Sequence, residues 1–229
     1  DRSTIRLLLT SVRPGQWTKN LLVLAGVVFG GRLLEPRAVE IAFAAFAIFC
    51  ALSGAIDLFN DVADREADQN HPLKRERPIA SGRLSTKTAL VAGLVLGTAG
   101  VAAAFRIGTE LGLVAGLYLA LLLIYSVALK HVVIVDALMI AGGFVLRAIA
   151  GAVAVDVPIG HWLLVCTTLL ALFLALSKRR HELTLLADGA TDHRRILDEY
   201  SPYLLDQMIG VVTSSTLIAY TVYATSPDT

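Results

Sequence analysis

Residues 60–82 read "NDVADREADQNHPLKRERPIASG". Four carboxylates fall within the first nine of these residues, and Lys74, Arg75 and Arg77 follow. Asp57, Asp61, Asp64 and Asp68 are spaced by four, three and four. At about 100° per residue, that spacing keeps them within roughly 60° of one another on a helix, with Asn60 at the border of the same face. Asp57 lies inside an apolar run, where a carboxylate is costly and marks function. Acids this close repel unless a cation sits between them. Hard cations such as Mg²⁺ take oxygen ligands and keep waters or substrate phosphates in the other positions. The stripe therefore predicts a Mg²⁺–diphosphate site, against the plainer reading of a solvated helix end with local pairs such as Asp61–Arg65.

Around this stretch the chain is too apolar for a soluble domain. It has 229 residues, 55% of them hydrophobic, and a mean hydropathy of +0.67. Apolar runs near 20–35, 38–59, 88–105, 111–129, 132–152, 162–176 and 207–224 approach the roughly 20 residues that a helix needs to cross a bilayer. The expected fold is an all-α, polytopic transmembrane helical bundle of about seven helices. Cys50 and Cys166 both fall in apolar spans and read as core residues rather than a disulfide or metal pair. The five histidines are scattered at loop and helix ends, without zinc-site spacing.

Net charge is only +1, but its distribution is one-sided. With seven spans, sixteen of the twenty Lys and Arg fall on one side, and Arg32, Arg37 and Arg106 on the other. Arg147 lies within a span. By the positive-inside rule the sixteen face the cytoplasm. A multi-pass protein of the plasma membrane follows, with the acidic stripe on the cytoplasmic side. The basic residues are accounted for by membrane topology, and no nucleic-acid partner is expected.

In the basic half of the stretch, Pro72 and Pro78 bar a long regular helix. Lys74, Arg75, Arg77 and Arg83 can clamp phosphate oxygens there, the arginines through bidentate forks; the competing explanation is topology or contact with anionic headgroups. Arg147 and Asp136 lie eleven residues apart on roughly one face of span five; charges there mark function or a pair, and a structural salt bridge to another helix is as much expected as catalysis. Asp206 and Gln207 open span seven. The glycines of "AGLVLGTAG", residues 92–100, suit close helix packing.

"NDVADREAD" matches the pattern NDxxDxxxD, and with "RPIASG" it resembles the first signature of the UbiA superfamily of intramembrane prenyltransferases. "YSVALK", residues 125–130, resembles the family's Tyr/Lys element. The region that carries a second Asp-rich motif in typical members reads "LSKRRHEL" here, residues 176–183. That string, with "RPGQWTKNLLVLAGVVFGGRL", "NHPLKRERPIASG" and "YSPYLLDQM", resembles the decaprenyl-phosphate phosphoribosyltransferase branch. The resemblance implies nine helices around a cytoplasm-facing cavity. On that basis residues 1–229 form a single integral-membrane domain lacking the last two helices, C-terminally truncated.

It also implies an enzyme, a Mg²⁺-dependent phosphoribosyltransferase. Such an enzyme moves 5-phosphoribose from phosphoribosyl diphosphate to a polyprenyl (decaprenyl) phosphate, making a lipid-linked pentose for cell-wall arabinan. The rival within the superfamily moves a polyprenyl group from its diphosphate to an aromatic acceptor. Either reaction ionises a carbon–diphosphate bond, and a metal neutralises charge on the leaving group. The expected metal ligands are Asn60, Asp61, Asp64 and Asp68, of which Asp61, Asp64 and Asp68 form the catalytic set. Donor phosphates fall to Lys74, Arg75, Arg77, Lys130, Lys178, Arg179 and Arg180, with the cations of 178–180 assigned to the sugar 5-phosphate. Asp57, Tyr125, Arg147 and Glu182 would orient substrate. The lipid phosphate is already anionic, so it needs orientation rather than a strong base. Oligomeric state is left open, a homo-oligomer included.

Overall fold

Proline sets the start of three elements. Pro14 opens an eleven-residue 3₁₀ helix, Pro14–Leu24. Pro36 opens the long helix Pro36–Ala63, and Pro202 opens the helix Pro202–Thr225; at a first helical position the missing N–H costs nothing. The computed structural model describes residues 2–129, 132, 134–187 and 201–225. Among them no strand occurs. The helices are α1 (Arg2–Ser11), α2 (Ala25–Phe29), α3 (Pro36–Ala63), α4 (Arg65–Asn70), α5 (Thr86–Ile107), α6 (Thr109–Ile124), α7 (Val135–Ala154), α8 (His161–Ala187) and α9 (Pro202–Thr225). A 3₁₀ turn at Lys74–Glu76 follows α4, and α6 ends in a π-helical turn, Tyr125–Leu129. Ser85 caps α5 by accepting from Thr88 N at 3.1 Å.

Five described helices are long and apolar enough to cross a membrane: α3, α5, α6 with its π turn, α7 and α9. Most of the surface of α5 and α6 is unburied, and Leu90, Leu94, Leu113 and Leu117 point outward, as suits a hydrocarbon solvent. The expected span at 162–176 lies within the 27-residue α8. The span expected at 20–35 is corrected. Its chain is not one α-helix but the 3₁₀ helix running straight into α2. Eleven residues at about 2.0 Å each and five at about 1.5 Å still give a rod of about 30 Å. The rod runs antiparallel to α3: Val12 meets Gly54 at its start, Asn20 meets Cys50 midway, and Val27 packs with Ala38 and Ala42 at its end.

Two compact units are distinguished by their packing. The first comprises Asp1–Val127 and Leu146–Pro158, the second Ala128–Val145 and Ile159–Thr229. α7 thus gives its first half to the second unit and its last turns to the first. The first unit's core gathers Phe49, Leu52 and Ile56 of α3 with Leu111, Ala115 and Tyr118 of α6 and Leu146 and Ala150 of α7. Small residues set its close crossings, as in other membrane bundles. Gly93, Gly97 and Gly100 of α5 lie against Phe59, Ala55 and Leu52. A Cβ on Gly151 would lie 2.0 Å from the Val23 carbonyl oxygen, so that approach tolerates only glycine. The second unit's core is built from Ala137, Ala175, Leu176 and Leu205. Cys50 and Cys166 are both free thiols.

Candidate active site

At the end of α3 the helix falters at Asp64, with φ −93° and ψ 9°, yet the ladder continues. Asp64 N donates to Asn60 O, and Asp68 N to Asp64 O, both at 2.8 Å. The aspartates of 61–68 are therefore carried by α3 and α4 across a bend rather than by one regular helix. Asp61 and Asp68 stay on one face: Arg77 Nη1 donates to Asp61 Oδ1 at 3.2 Å and to Asp68 Oδ2 at 2.7 Å. Their carboxylates are almost sealed, at 3% and 5% exposure. Arg13 reaches the same stripe from another direction. Its guanidinium lies 3.4 Å from Asp57 Oδ1 and donates to Asp61 Oδ1. No Asp61–Arg65 pair forms; Asp61 takes its partners from 48 and 16 residues away.

Arg13 is a candidate site residue that sequence reasoning missed. It sits between α1 and the 3₁₀ helix with φ +49°, a left-handed conformation that non-glycine residues adopt at a cost and that clusters at functional sites. Trp17 Nε1 donates to Val12 O at 3.1 Å and closes this corner. The signal in "VRPG" was an arginine locked before a proline. Ser126, in the π turn, is a second omission: its hydroxyl donates to Asn60 Oδ1. A π turn inside an α-helix is itself a feature concentrated at functional sites. It places Tyr125, half-buried, beside Ser126.

The loop after α4 folds back over the stripe. His71 Nδ1 accepts from the backbone N–H of Leu73 and Lys74 at 2.9 and 3.1 Å, so this histidine orders the turn. Gly82 takes φ +76°, which lets the loop reverse into α5. Arg75 points outward beside Glu76 at 3.8 Å. Between this loop and α1 lies a cavity of about 860 Å³ with Asp61, Arg13 and Arg77 in its wall, joined by Arg6, Glu76 and Arg83. Small-molecule sites are about 300–1,000 Å³.

Deeper in the first unit, Arg147 is buried. It donates from Nε to Asn20 Oδ1 at 2.7 Å and from Nη2 to the Tyr118 hydroxyl at 2.6 Å, and it packs over the Tyr118 ring at 4.9 Å. Ser53 Oγ donates to Asn20 Oδ1 at 3.2 Å. Arg147 thus ties the 3₁₀ helix, α3, α6 and α7 together.

In the second unit the cations of 178–180 are distributed unequally. Arg179 is 1% exposed and donates to Asp136 Oδ2 and Glu182 Oε2, each at 2.6 Å. Arg180 holds Asp206 by two bonds of 2.7 and 3.3 Å, with Thr184 at 3.0 Å. Lys178 is 66% exposed, 3.9 Å from Glu182. Asp136 is therefore an Arg179 partner, Glu182 holds the same guanidinium, and Gln207 donates to the Tyr203 hydroxyl at 2.7 Å. Lys130 lies outside the described residues.

The donor set at the end of α3 fits Mg²⁺. Its atoms are hard oxygens, and two nearly buried carboxylates converge on one cationic nitrogen. Among the described residues no three His, Cys, Asp or Glu gather closely enough to hold an ion by themselves; an ion that keeps waters and substrate phosphates needs fewer.

The UbiA prenyltransferase family model matches residues 20–184. Decaprenyl-phosphate phosphoribosyltransferase of Mycolicibacterium smegmatis is 35% identical over 225 residues, covering 96% of this chain and 71% of that protein. The protein of the same name from Mycobacterium tuberculosis H37Rv is 34% identical over 222 residues, 95% of this chain and 74% of that one. Among solved structures, a UbiA homolog from Archaeoglobus fulgidus bound to DMAPP and Mg²⁺ aligns with a TM-score of 0.76 at 16% identity, over 93% of this chain and 76% of that one. This last similarity is one of fold.

Proposed function

The chain belongs to the UbiA prenyltransferase family, and from that premise we propose that it is the phosphoribosyltransferase its residues fit. It is a membrane-embedded transferase acting on a polyprenyl phosphate, and its donor is phosphoribosyl diphosphate. The C1–oxygen bond to diphosphate breaks, a bond from C1 to an oxygen of the lipid phosphate forms, and diphosphate leaves. One observation carries this reading: Asp61 of the NDxxDxxxD pattern borders a cavity walled by arginines, in a chain 35% identical to an enzyme of that name.

Asn60, Asp61, Asp64 and Asp68 would hold Mg²⁺, which supplies charge neutralisation for the leaving diphosphate. Ser126 fixes the Asn60 side chain. Arg13 and Arg77 hold the aspartates in place; their guanidiniums are 24% and 30% exposed, so both can turn toward an anionic ligand. Lys74 and Arg75 lie in the loop beside them and add positive potential. Tyr125 and Asp57 flank the site. In the second unit Arg179 positions Asp136 and Glu182, and Lys178 has a largely open side chain.

The site faces the cytoplasm and the membrane is the plasma membrane. Support comes from the first unit's charges. Arg6, Arg13, Arg77 and Arg83 all border the cavity near the C-terminal end of α3, whereas Arg32 pairs with Glu35 at its N-terminal end. In a variant free of Cys50 and Cys166, a cysteine at Ser85 is shielded from an impermeant reagent in whole cells and one at Gly108 reacts. The opposite labelling would invert the topology.

The activity is tested with purified protein, Mg²⁺, labelled phosphoribosyl diphosphate and polyprenyl phosphate. Label entering the lipid phase, and lost with a chelator, is the expected result. No label entering the lipid phase from phosphoribosyl diphosphate, with a labelled prenyl diphosphate instead passing its label to an aromatic acceptor, would replace this reading with prenyl transfer.

A further inference from the structure

The cavity between α1 and the 71–83 loop holds more positive charge than the carboxylate stripe uses. Four arginines line it, Arg6, Arg13, Arg77 and Arg83, against two acids, Asp61 and Glu76. Arg13 and Arg77 are matched by Asp57, Asp61 and Asp68, and Glu76 lies by Arg75. The surplus rests on Arg6 and Arg83. Arg83 is held by neutral acceptors: Nε donates to Ser81 Oγ at 3.0 Å, and Nη2 donates to the Glu76 carbonyl. These bonds fix its direction without cancelling its charge. Arg6 has no carboxylate partner among the described residues. It sits on the face of α1 that also gives Ser3, Leu7 and Thr10 to the cavity, while Ile5 and Leu9 face outward. α1 is thus an amphipathic helix suited to the membrane interface, with one arginine turned toward the cavity.

We propose that Arg6 and Arg83 form a second anion subsite in the same cavity, and that its ligand is a phosphate monoester of a substrate. Such a group carries about −1.5 to −2 charge near neutral pH, which two guanidiniums match. The cavity also contains Asp61, so a ligand lying in it reaches the reaction centre. The proposal rests on the phosphoribosyl-transfer reading, in which both substrates carry a phosphate monoester: the 5-phosphate of the sugar donor and the phosphate of the lipid acceptor. Arg6 and Arg83 then have a specificity role that the stripe alone cannot supply, because a metal–diphosphate site ignores the other end of the sugar.

The test is direct binding, so that it does not depend on turnover. The full chain is held in neutral detergent without anionic lipid. Affinities for ribose 5-phosphate, for inorganic diphosphate with Mg²⁺, and for polyprenyl phosphate are measured for wild type, Arg6→Gln, Arg83→Gln and Arg83→Lys. Loss of a charge-assisted bond to phosphate weakens binding by roughly tenfold to a hundredfold. If the sugar phosphate is the ligand, the Gln variants lose that much for ribose 5-phosphate, keep wild-type affinity for diphosphate, and Arg83→Lys recovers part of the loss. If the lipid phosphate is the ligand, the same loss falls on polyprenyl phosphate instead. Unchanged affinity for both monoesters, or an equal loss for diphosphate, overturns the subsite. Failure of the functional reading is separate: wild type would then bind these ligands without transferring label from phosphoribosyl diphosphate.

Discussion

Two clusters of opposite charge, one in each unit, look alike in composition and differ in what surrounds them. In the first unit, Asp61 and Asp68 are buried, but the arginines that hold them, Arg13 and Arg77, are 24% and 30% exposed and border a cavity. In the second, Arg179 and its partner Asp136 are both sealed, at 1% and 0% exposure. A sealed pair has nothing to exchange with and acts as a structural lock. A pair with one solvated member can trade that member for a ligand. Burial of the cation, not the presence of an ion pair, separates the cluster that can bind substrate from the one that holds helices.

The sharpest way to break this comparison is to remove one partner of the sealed pair. Arg179→Ala leaves Asp136 charged and buried, and a change of this kind costs about 3–5 kcal/mol. Thermal unfolding in detergent should show a large fall in Tm. Replacing both partners, Asp136→Leu with Arg179→Met, should recover much of it, because a buried pair often barely outweighs apolar packing. A small effect of the single change would mean that Arg179 is solvated and available to substrate.

Asp61→Asn tests the open cluster and should behave in the opposite way. Arg13 keeps Asp57 and Arg77 keeps Asp68, so Tm should change little, while transfer falls by about a hundredfold to a thousandfold, the scale of losing one electrostatic contact to a transition state. Asp64→Asn, at the bend, should also lose transfer. Asp156→Asn is the control: it lies beyond α7 with φ +53°, a conformation that asparagine accepts, and activity should be unchanged.

Smaller effects separate the two kinds of cation. Asn20→Ala removes an acceptor from buried Arg147, a cost of about 1–3 kcal/mol, read as a lowered Tm. Lys178→Ala should change stability by less than about 0.5 kcal/mol, since its side chain is largely exposed. A larger fall in activity than in stability at Lys178 would return the second unit to the donor site.

The sequence disclosed the helical class, five of the seven expected membrane spans and the carboxylate stripe because each rests on local periodicity. Asp61 and Asp68 lie on one face, as their spacing of seven implied, although the arginine that joins them, Arg77, was read as a phosphate ligand. Gly93, Gly97 and Gly100 pack as the spacing of small residues suggested. Partnerships over long separations were not legible. Arg13 meets Asp61 across 48 residues and Arg147 meets Asn20 across 127, and no period in the chain encodes either. A salt bridge from Asp136 to another helix was expected and is found, but its partner, Arg179 of α8, could not be named for the same reason. The 3₁₀ character of Pro14–Leu24 was hidden because apolar content reports burial in lipid, not the pitch of the helix.

The most direct measurement is ligand-induced stabilisation of wild type and Asp61→Asn by inorganic diphosphate, with and without Mg²⁺. Ligand at a hundred times its Kd raises stability by about 2.7 kcal/mol. The account predicts a clear rise in Tm for wild type only when both Mg²⁺ and diphosphate are present, and its near-complete loss in Asp61→Asn with the unliganded Tm preserved. An equal rise in both proteins, or a wild-type rise that ignores Mg²⁺, would contradict the assignment of the open cluster as the metal–diphosphate site.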